Sequence, residues 1–350
     1  MNSRSFVILL TLVLIMVALM YSLPRDFGAG ARSLLLPGLS SHVNDIERIT
    51  ITGAGEERVA TLRRRGRQWT IDERAGHRAD VGRIRRALLA LAYARVIEQE
   101  TTDPALHWRL GVEDLAALDA TGLKLVMTGS GETYGLIVGD RGARTGTTFA
   151  RKPDAAQSFL ISASLDLGHE TLDWVARDIM DIGTDRIHRV TITHPDGSVL
   201  RVENPTRGSA GFTVIDLPAD REPAYEGVAN SMAGLLTDLA FDDVQPVATF
   251  TAGGDNPTLA RFETFDGLIV DAMIYATPEG PRVRFVAHAD AALARRFEAD
   301  ETDTSRRSFE AASEDATRLN DALAGWVYTL PRFKSKQFVS RMEAMLEPAT

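Results

Sequence analysis

Histidines and carboxylates are the side chains of this sequence that could support metal binding or acid–base chemistry. Seven histidines are scattered along the chain, and none forms the HExxH pair that a helical zinc site requires. His188 and His194 flank a predicted strand at an even spacing, so both can face one side of a sheet. No carboxylate occupies a matching position, and we therefore predict no metal site there.

Four acidic residues near the middle of the chain raise the possibility of glycoside hydrolysis, which uses paired carboxylates in a cleft. They are Asp173, Asp178, Asp181 and Asp185. Their positions at the ends of predicted helices favour capping and solvated roles. The commonest serine-hydrolase motifs, G-x-S-x-G and S-x-x-K, do not occur. We predict no catalytic residue and no cofactor.

A basic cluster, Arg63-Arg64-Arg65-Gly66-Arg67, lies at the predicted tip of a hairpin. Such a cluster can bind an anionic lipid or glycan. The surrounding chain is acidic, however, with a net charge of −9. A solvated turn is therefore the favoured interpretation of the cluster.

Composition sets the broad class of the protein. A chain of 350 residues with 25% charged residues is long enough for two soluble domains. The net charge of −9 argues against nucleic acid as a partner, because a nucleic-acid binder carries a basic surface. With no cysteine, disulfides and thiolate metal sites are excluded.

The N-terminus is the exception to this soluble composition. Phe6–Leu23 contains no charged residue, and as a helix it would be roughly 27 Å long, just enough to span a bilayer core. Arg4 precedes it, so residues 1–5 are predicted to be cytoplasmic. The run is longer than the apolar core of a signal peptide, which favours an uncleaved membrane anchor at 6–23. The rest of the chain would then lie outside the cytoplasm, at the inner membrane, tethered by a linker at 24–42.

An internal repeat organises the remaining chain. Ile46–Thr52 and Ile187–Thr193 are the same heptapeptide with two substitutions, and both alternate in the manner of half-buried strands. Trp69-Thr70-Ile71 is echoed by Phe212-Thr213-Val214. Each copy is predicted to contain strands, then one amphipathic helix, then more strands. The predicted helices lie near 81–91, with Val81, Ile84, Leu88 and Leu91 on one face, and at 224–240.

These patterns predict an α+β fold of two duplicated units, each an antiparallel sheet packed with a helix. The predicted units are 43–170 and 171–300, followed by a helical tail at 301–350. A connecting helix is predicted at 172–179, with Trp174 buried between units. The junction around Trp174 and Asp178, together with the exposed sheet faces, is the predicted interaction surface.

Several of these motifs resemble the domain-of-unknown-function 4340 family. They are the apolar start, Trp69-Thr70-Ile71, an L-L-x-x-L helix, Trp174–Asp178, Ile187–Ile192, Leu319-Asn320, Gly325–Pro331 and Phe333-Lys334. Members of that family look like bacterial envelope proteins encoded beside components of gliding-motility-type ABC transporters. The resemblance implies no catalytic residues and no substrate.

Two functional hypotheses follow. In the first, the protein is a single-pass accessory subunit whose extracytoplasmic units contact an ABC transporter or an envelope polymer. In the second, it is an extracytoplasmic glycan hydrolase that uses the junction carboxylates. Because no triad, metal or nucleotide motif was found, the first hypothesis is favoured.

Overall fold

The computed structural model describes residues 33–207, 211–253, 256–297 and 307–347. The predicted cytoplasmic residues 1–5 and the predicted membrane segment Phe6–Leu23 lie outside this part of the chain. Among the helices that are described, none has the length and apolar character needed to cross a membrane.

Strands dominate the described residues. They are β1 (Arg48–Thr52), β2 (Arg58–Arg65), β3 (Gln68–Ile71), β4 (His77–Arg78), β5 (Val96–Gln99), β6 (Leu123–Gly129), β7 (Glu132–Arg141), β8 (Thr148–Arg151), β9 (Ser158–Ile161), β10 (Asp178–Met180), β11 (Ile187–Thr193), β12 (Val199–Glu203), β13 (Thr213–Ile215), β14 (Leu239–Ala240), β15 (Asp243–Pro246), β16 (Thr258–Thr264), β17 (Leu268–Tyr275), β18 (Arg282–Ala289) and β19 (Trp326–Thr329).

Helices are few and mostly short. The α-helices are α1 (Leu39–His42), α2 (Val81–Ala92), α3 (Asn230–Ala233), α4 (Ala291–Arg296), α5 (Phe309–Leu323) and α6 (Arg332–Gln337). Segments of 3-10 helix occur at Ala54–Glu56, Asp72–Arg74, Pro104–Leu110, Thr171–Trp174, Thr184–Arg186, Gly234–Leu236, Val247–Thr249 and Met342–Met345.

The chain forms two compact units. Unit 1 contains the described residues up to Gln68 together with Val81–Asp173, and unit 2 contains Trp69–Asp80 together with the described residues from Trp174 onward. The strands of unit 1 lie in the order β2-β1-β6-β7-β8-β9-β5, and neighbouring strands are antiparallel. Residues 33–42, within the predicted linker, are packed rather than extended, with Leu36 and Leu39 buried.

The main sheet of unit 2 has the order β13-β12-β11-β16-β17-β18-β19-β15, and β10 pairs with β14 in a separate two-stranded sheet. Helix α5 packs on β17 and β18. Asn320 fixes this packing, because its amide donates to the carbonyl oxygen of Ala287 at 2.7 Å and accepts from the Ala287 N–H at 2.9 Å.

The order of seven strands is the same in both units, with β12-β11-β16-β17-β18-β19-β15 of unit 2 following β2-β1-β6-β7-β8-β9-β5 of unit 1. Ile51 in β1 faces Ala60 on one neighbour and Leu125 on the other. Ile192 in β11 likewise faces Leu200 and Ala260. Both isoleucines are fully buried, because alternate residues of a strand point to the same face.

The predicted fold class is wrong. The described residues are mostly antiparallel sheet with few helices, rather than two α+β units followed by a helical tail. The predicted helix at 224–240 is replaced by α3, one 3-10 turn and the short strand β14. Gly227 has a φ of 79° and Asp238 a φ of 45°, both outside the right-handed helical region. In the predicted tail, β19 enters the sheet between β18 and β15, as the β-favouring residues Trp326, Val327 and Tyr328 permit.

A network of buried charges connects elements of unit 2. The guanidinium of Arg186 contacts the carboxylates of Asp266 and Asp315 at 2.9 and 3.1 Å. Arg307 and Arg318 contact Asp315 at 2.7 and 2.6 Å. Because both aspartates are buried, this pairing is needed to offset the cost of removing their charges from water.

Candidate functional site

A cleft lies in unit 1, at the ends of β1, β2, β6 and β7. Its volume is about 540 Å³, within the range of small-molecule sites. We call it the arginine cleft. Its lining residues are Glu47, Arg48, Arg63, Arg64, Arg65, Thr128, Gly129, Ser130, Gly131, Glu132 and Thr133.

Strand register places four of these side chains in one row. Arg48 is opposite Arg63 on β2 and opposite Thr128 on β6, and Thr128 is opposite Thr133 on β7. Opposed residues share a face of the sheet, and neighbouring strands lie about 4.8 Å apart, so the row spans roughly 14 Å. The adjacent residue of β1, Ile49, points to the other face and is buried.

A tight turn closes one side of the cleft. Ser130 and Gly131 link β6 to β7 with φ values of 50° and 82°, as a two-residue turn with two positive φ angles requires. Gly129 lies close to the incoming chain, where an added Cβ would come within 1.9 Å of the Asp45 carbonyl oxygen. Only glycine therefore allows the segment before β1 to pass against this wall.

The cleft carries more positive than negative charge, with four arginines and two glutamates in its lining. Arg64 donates to the carbonyl oxygens of Gly66 (at 3.1 Å) and Asn44. Arg63 is also engaged in a polar or ring interaction and is therefore not free. Among the described residues, the side chains of Arg48 and Arg65 have no hydrogen-bond or ion-pair partner.

Like charges directly opposite each other on paired strands are destabilising. The opposition of Arg48 and Arg63 would be relieved by an anion bound between them. Guanidinium groups bind carboxylate and phosphate oxygens through paired N–H donors. The arrangement is thus suited to binding an anion.

The two residues of the predicted interaction surface differ in exposure. Trp174 is fully buried, and its carbonyl oxygen accepts from the Asp80 N–H at 2.8 Å. Asp178 begins β10, and its side chain is 77% exposed. Arg78 donates from Nη2 to the carbonyl oxygen of Asp178 at 2.8 Å and lies 3.5 Å from its carboxylate. The interaction surface itself stays a prediction.

The segment around these residues is not the predicted connecting helix. It consists of the 3-10 turn ending at Trp174 followed by the strand β10. Asp178 pairs with Ala240 of β14. The charged surface at Asp178 is therefore carried by a strand, with Arg78 on β4 beside it.

Two of the other three predicted acids accept hydrogen bonds from backbone N–H groups. Asp173 accepts from the Glu170 N–H at 3.0 Å, within unit 1. Asp181 accepts from the Asp238 N–H at 3.1 Å, within unit 2. The Asp173 contact stabilises a local turn, whereas the Asp181 contact joins segments that are 57 residues apart in sequence.

His188 and His194 each donate a hydrogen bond to a backbone carbonyl oxygen. Nδ1 of His188 donates to Asn204 at 2.8 Å, and Nε2 of His194 donates to Ser340 at 3.1 Å. Burial lowers the pKa of His188, with the Asn204 contact acting in the opposite direction. In the part of the chain that the structure describes, no group of three His, Asp or Glu side chains is placed to hold a metal.

Sequence reasoning identified the arginines of β2 but missed the cleft. The contribution of Arg48 depends on its register against Arg63, which is a long-range property. The Gly129-Ser130-Gly131 stretch was a readable turn signal. Nothing local indicated that this turn would face the arginines.

Comparison with known proteins identifies one family. The family model described as Domain of unknown function (DUF4340) matches residues 69–258, which is more than half of the chain. The match begins after Arg48 and Arg65. No curated protein and no solved structure matches the sequence.

Proposed function

The chain belongs to the DUF4340 family, and from that premise we propose that it is a binding and assembly protein of the bacterial envelope. Its partner in this proposal is an ABC-transporter-type membrane complex of the kind associated with gliding motility. The family resemblance of the motifs supports this choice of partner.

The observation that carries the proposal is the arginine cleft. Its lining residues lie on paired strands with a fixed register, so the backbone positions that carry the donors are fixed before a ligand arrives. Preorganised donors reduce the entropy lost on binding. The arginine and threonine side chains of the cleft can donate hydrogen bonds to a ligand, and the glutamate side chains can accept them.

The proposed location is the inner membrane, with the N-terminus in the cytoplasm and the two units outside it. Support comes from Arg4 and from the uncharged run Phe6–Leu23. A protein held at the membrane has a raised effective concentration for a neighbouring membrane complex. Alkaline phosphatase fused after Thr350 should be active, and a green fluorescent protein fused there should be dark. The reverse pattern would place the two units in the cytoplasm.

Site-specific crosslinking tests the proposed partner. A photoreactive amino acid at Asp178 should capture ABC-transporter subunits in native membranes, identified by mass spectrometry. Tyr225 is the matched control, since it is also in unit 2 and is 61% exposed, but it lies in a turn, outside the junction and the sheet faces. Equal recovery from both positions would count against a specific surface at Asp178.

The rival hydrolase hypothesis has a direct test as well. Purified full-length protein is incubated with envelope glycans, and the products are separated by chromatography. Turnover that is lost in Asp178→Asn or Asp181→Asn would overturn the assembly proposal.

A further inference from the structure

We propose that the arginine cleft binds a small phosphate ester that carries free hydroxyl groups, of which glycerol phosphate is the simplest example. This inference rests on the proposed binding function and specifies the ligand class of the same site.

The arginines indicate the phosphate. Arg48 and Arg63 are directly opposed, and Arg65, two residues beyond Arg63 on β2, is directed to the same face. Guanidinium groups that line one cleft can bind phosphate oxygens through paired N–H donors. Thr128 and Thr133 continue the row and supply hydroxyl donors to the same group.

The glutamates indicate the hydroxyl groups. Glu47 and Glu132 line the same cleft and, when ionised, only accept hydrogen bonds. They would repel a ligand that is anionic along its whole length, such as an acidic peptide. A phosphate ester with hydroxyl groups satisfies both halves of the lining, because its phosphate faces the arginines and its hydroxyls donate to the carboxylates.

The size of the cleft agrees with an ester rather than a bare ion. At about 540 Å³ it lies within the range of pockets that hold small organic molecules. Glycerol phosphate occurs both as a free metabolite and as the headgroup of an anionic phospholipid. The two sources share the chemistry that the cleft recognises.

Calorimetric titration of the full-length protein in a neutral detergent tests the ligand class. Glycerol phosphate should bind at least tenfold more tightly than inorganic phosphate, and glycerol should give no measurable heat. Equal affinity for the two phosphates would overturn the assignment of hydroxyl recognition. Tighter binding of an acidic peptide than of glycerol phosphate would overturn the ligand class altogether.

Two variants of β2 distinguish binding in the cleft from a general effect of the protein's net charge. Arg65→Glu should weaken binding of glycerol phosphate at least tenfold. Arg58→Glu makes the same charge change at the opposite, exposed end of the strand and should leave affinity unchanged. Circular dichroism verifies that both variants are folded. Equal loss in both would show that net charge, rather than the cleft, controls binding.

A second readout distinguishes the source of the ligand. The full chain is placed in nanodiscs of phosphatidylglycerol or phosphatidylcholine, and arginine modification by phenylglyoxal is mapped by mass spectrometry. Protection of Arg48 and Arg65 by phosphatidylglycerol assigns the lipid headgroup, and protection only by added glycerol phosphate assigns the free ester. No protection by either overturns the proposal. The two proposals can fail separately. If the unaltered protein binds no glycerol phosphate, but Arg65→Glu still crosslinks to transporter subunits, the ligand proposal fails and the assembly proposal stands.

Discussion

The imidazole of His77 lies edge-on against the indole of Trp326, with ring centroids 4.7 Å apart and an interplanar angle of 77°. Phe241 contacts the same imidazole at 5.3 Å, also edge-on. His77 is 1% exposed, and its Nδ1 donates to the carbonyl oxygen of Arg78 at 3.2 Å. Burial lowers the pKa of His77 to about 4, against a smaller raising effect of that hydrogen bond. The folded protein therefore favours the neutral imidazole.

Acid should destabilise unit 2 through this histidine. The pKa of an unfolded histidine is about 6.5, so between pH 6.5 and 4 the unfolded chain binds a proton that the folded chain does not. Stability is then lost as the pH falls through this window. The loss from His77 is about 2 to 3 kcal/mol between pH 7 and pH 4.5. Asp178 and Arg78 act on the same imidazole in opposite directions.

Urea unfolding of the full chain, followed by tryptophan fluorescence, measures this effect. Trp69, Trp174 and Trp326 belong to unit 2, and Trp108 in unit 1 is 65% exposed, so the signal reports mainly unit 2. His77→Phe should remove much of the pH dependence. The exposed His169→Phe should retain it. An unchanged pH dependence in His77→Phe would contradict the assignment.

The strands of the repeat could be predicted from the sequence because their signal is local. Alternation within Ile49-Thr50-Ile51 and within Val190-Thr191-Ile192 places the apolar side chains on one face. Those isoleucines and the valine are buried in β1 and β11. Helix α2 has the same kind of signal, since Ile84, Leu88 and Leu91 fall on one buried face.

Apolar spacing alone misled the prediction of a helix at 224–240. Val228, Met232, Leu235 and Leu239 are all buried, as a helix would require. The short helix α3, turns and the strand β14 bury the same side chains, because tertiary packing overrides spacing where positive φ angles interrupt the helix. The arginine cleft escaped prediction for a related reason. Its row of side chains comes from pairing between strands that are distant in sequence, and register is not a local property.

Replacing Ile192 by alanine should cost about 2–5 kcal/mol, because the side chain is fully buried and its removal leaves a cavity. Thr191→Ala changes the neighbouring residue on the opposite face of β11 and should cost at most about 1 kcal/mol. Urea unfolding followed by tryptophan fluorescence measures both. Equal costs would show that Ile192 is not a core residue.

Replacing Asp315 by asparagine should cost about 1–3 kcal/mol, because Arg186 would lose one of its two buried counter-charges and keep Asp266. Asp315 is 7% exposed. Burial raises the pKa of Asp315. The guanidiniums of Arg318, Arg186 and Arg307 together lower this pKa by more, so the net shift is downward. Glu314→Gln removes the same charge from the adjacent, exposed position of α5. The same urea titration compares the two, and an equal effect would assign the loss to helix charge rather than to the buried network.

Lys334 links helix α6 to the short helical segment at 230–236. Its Nζ donates to the carbonyl oxygens of Gly234, Leu235 and Thr237 at 3.1, 3.2 and 3.4 Å. Burial lowers the pKa of Lys334, with Asp238 acting in the opposite direction. The ammonium satisfies carbonyl groups that the end of a helix leaves without partners.

Lys334→Met should therefore keep most of the packing of the side chain but leave these carbonyl groups unsatisfied, at a cost of about 1–3 kcal/mol. Hydrogen exchange of the amides at 230–240 should accelerate, since the local structure opens more readily. Lys336→Met, two residues further along α6, removes an exposed ammonium and should leave exchange unchanged. Equal acceleration in both variants, or none in Lys334→Met, would show that the ammonium does not hold this segment.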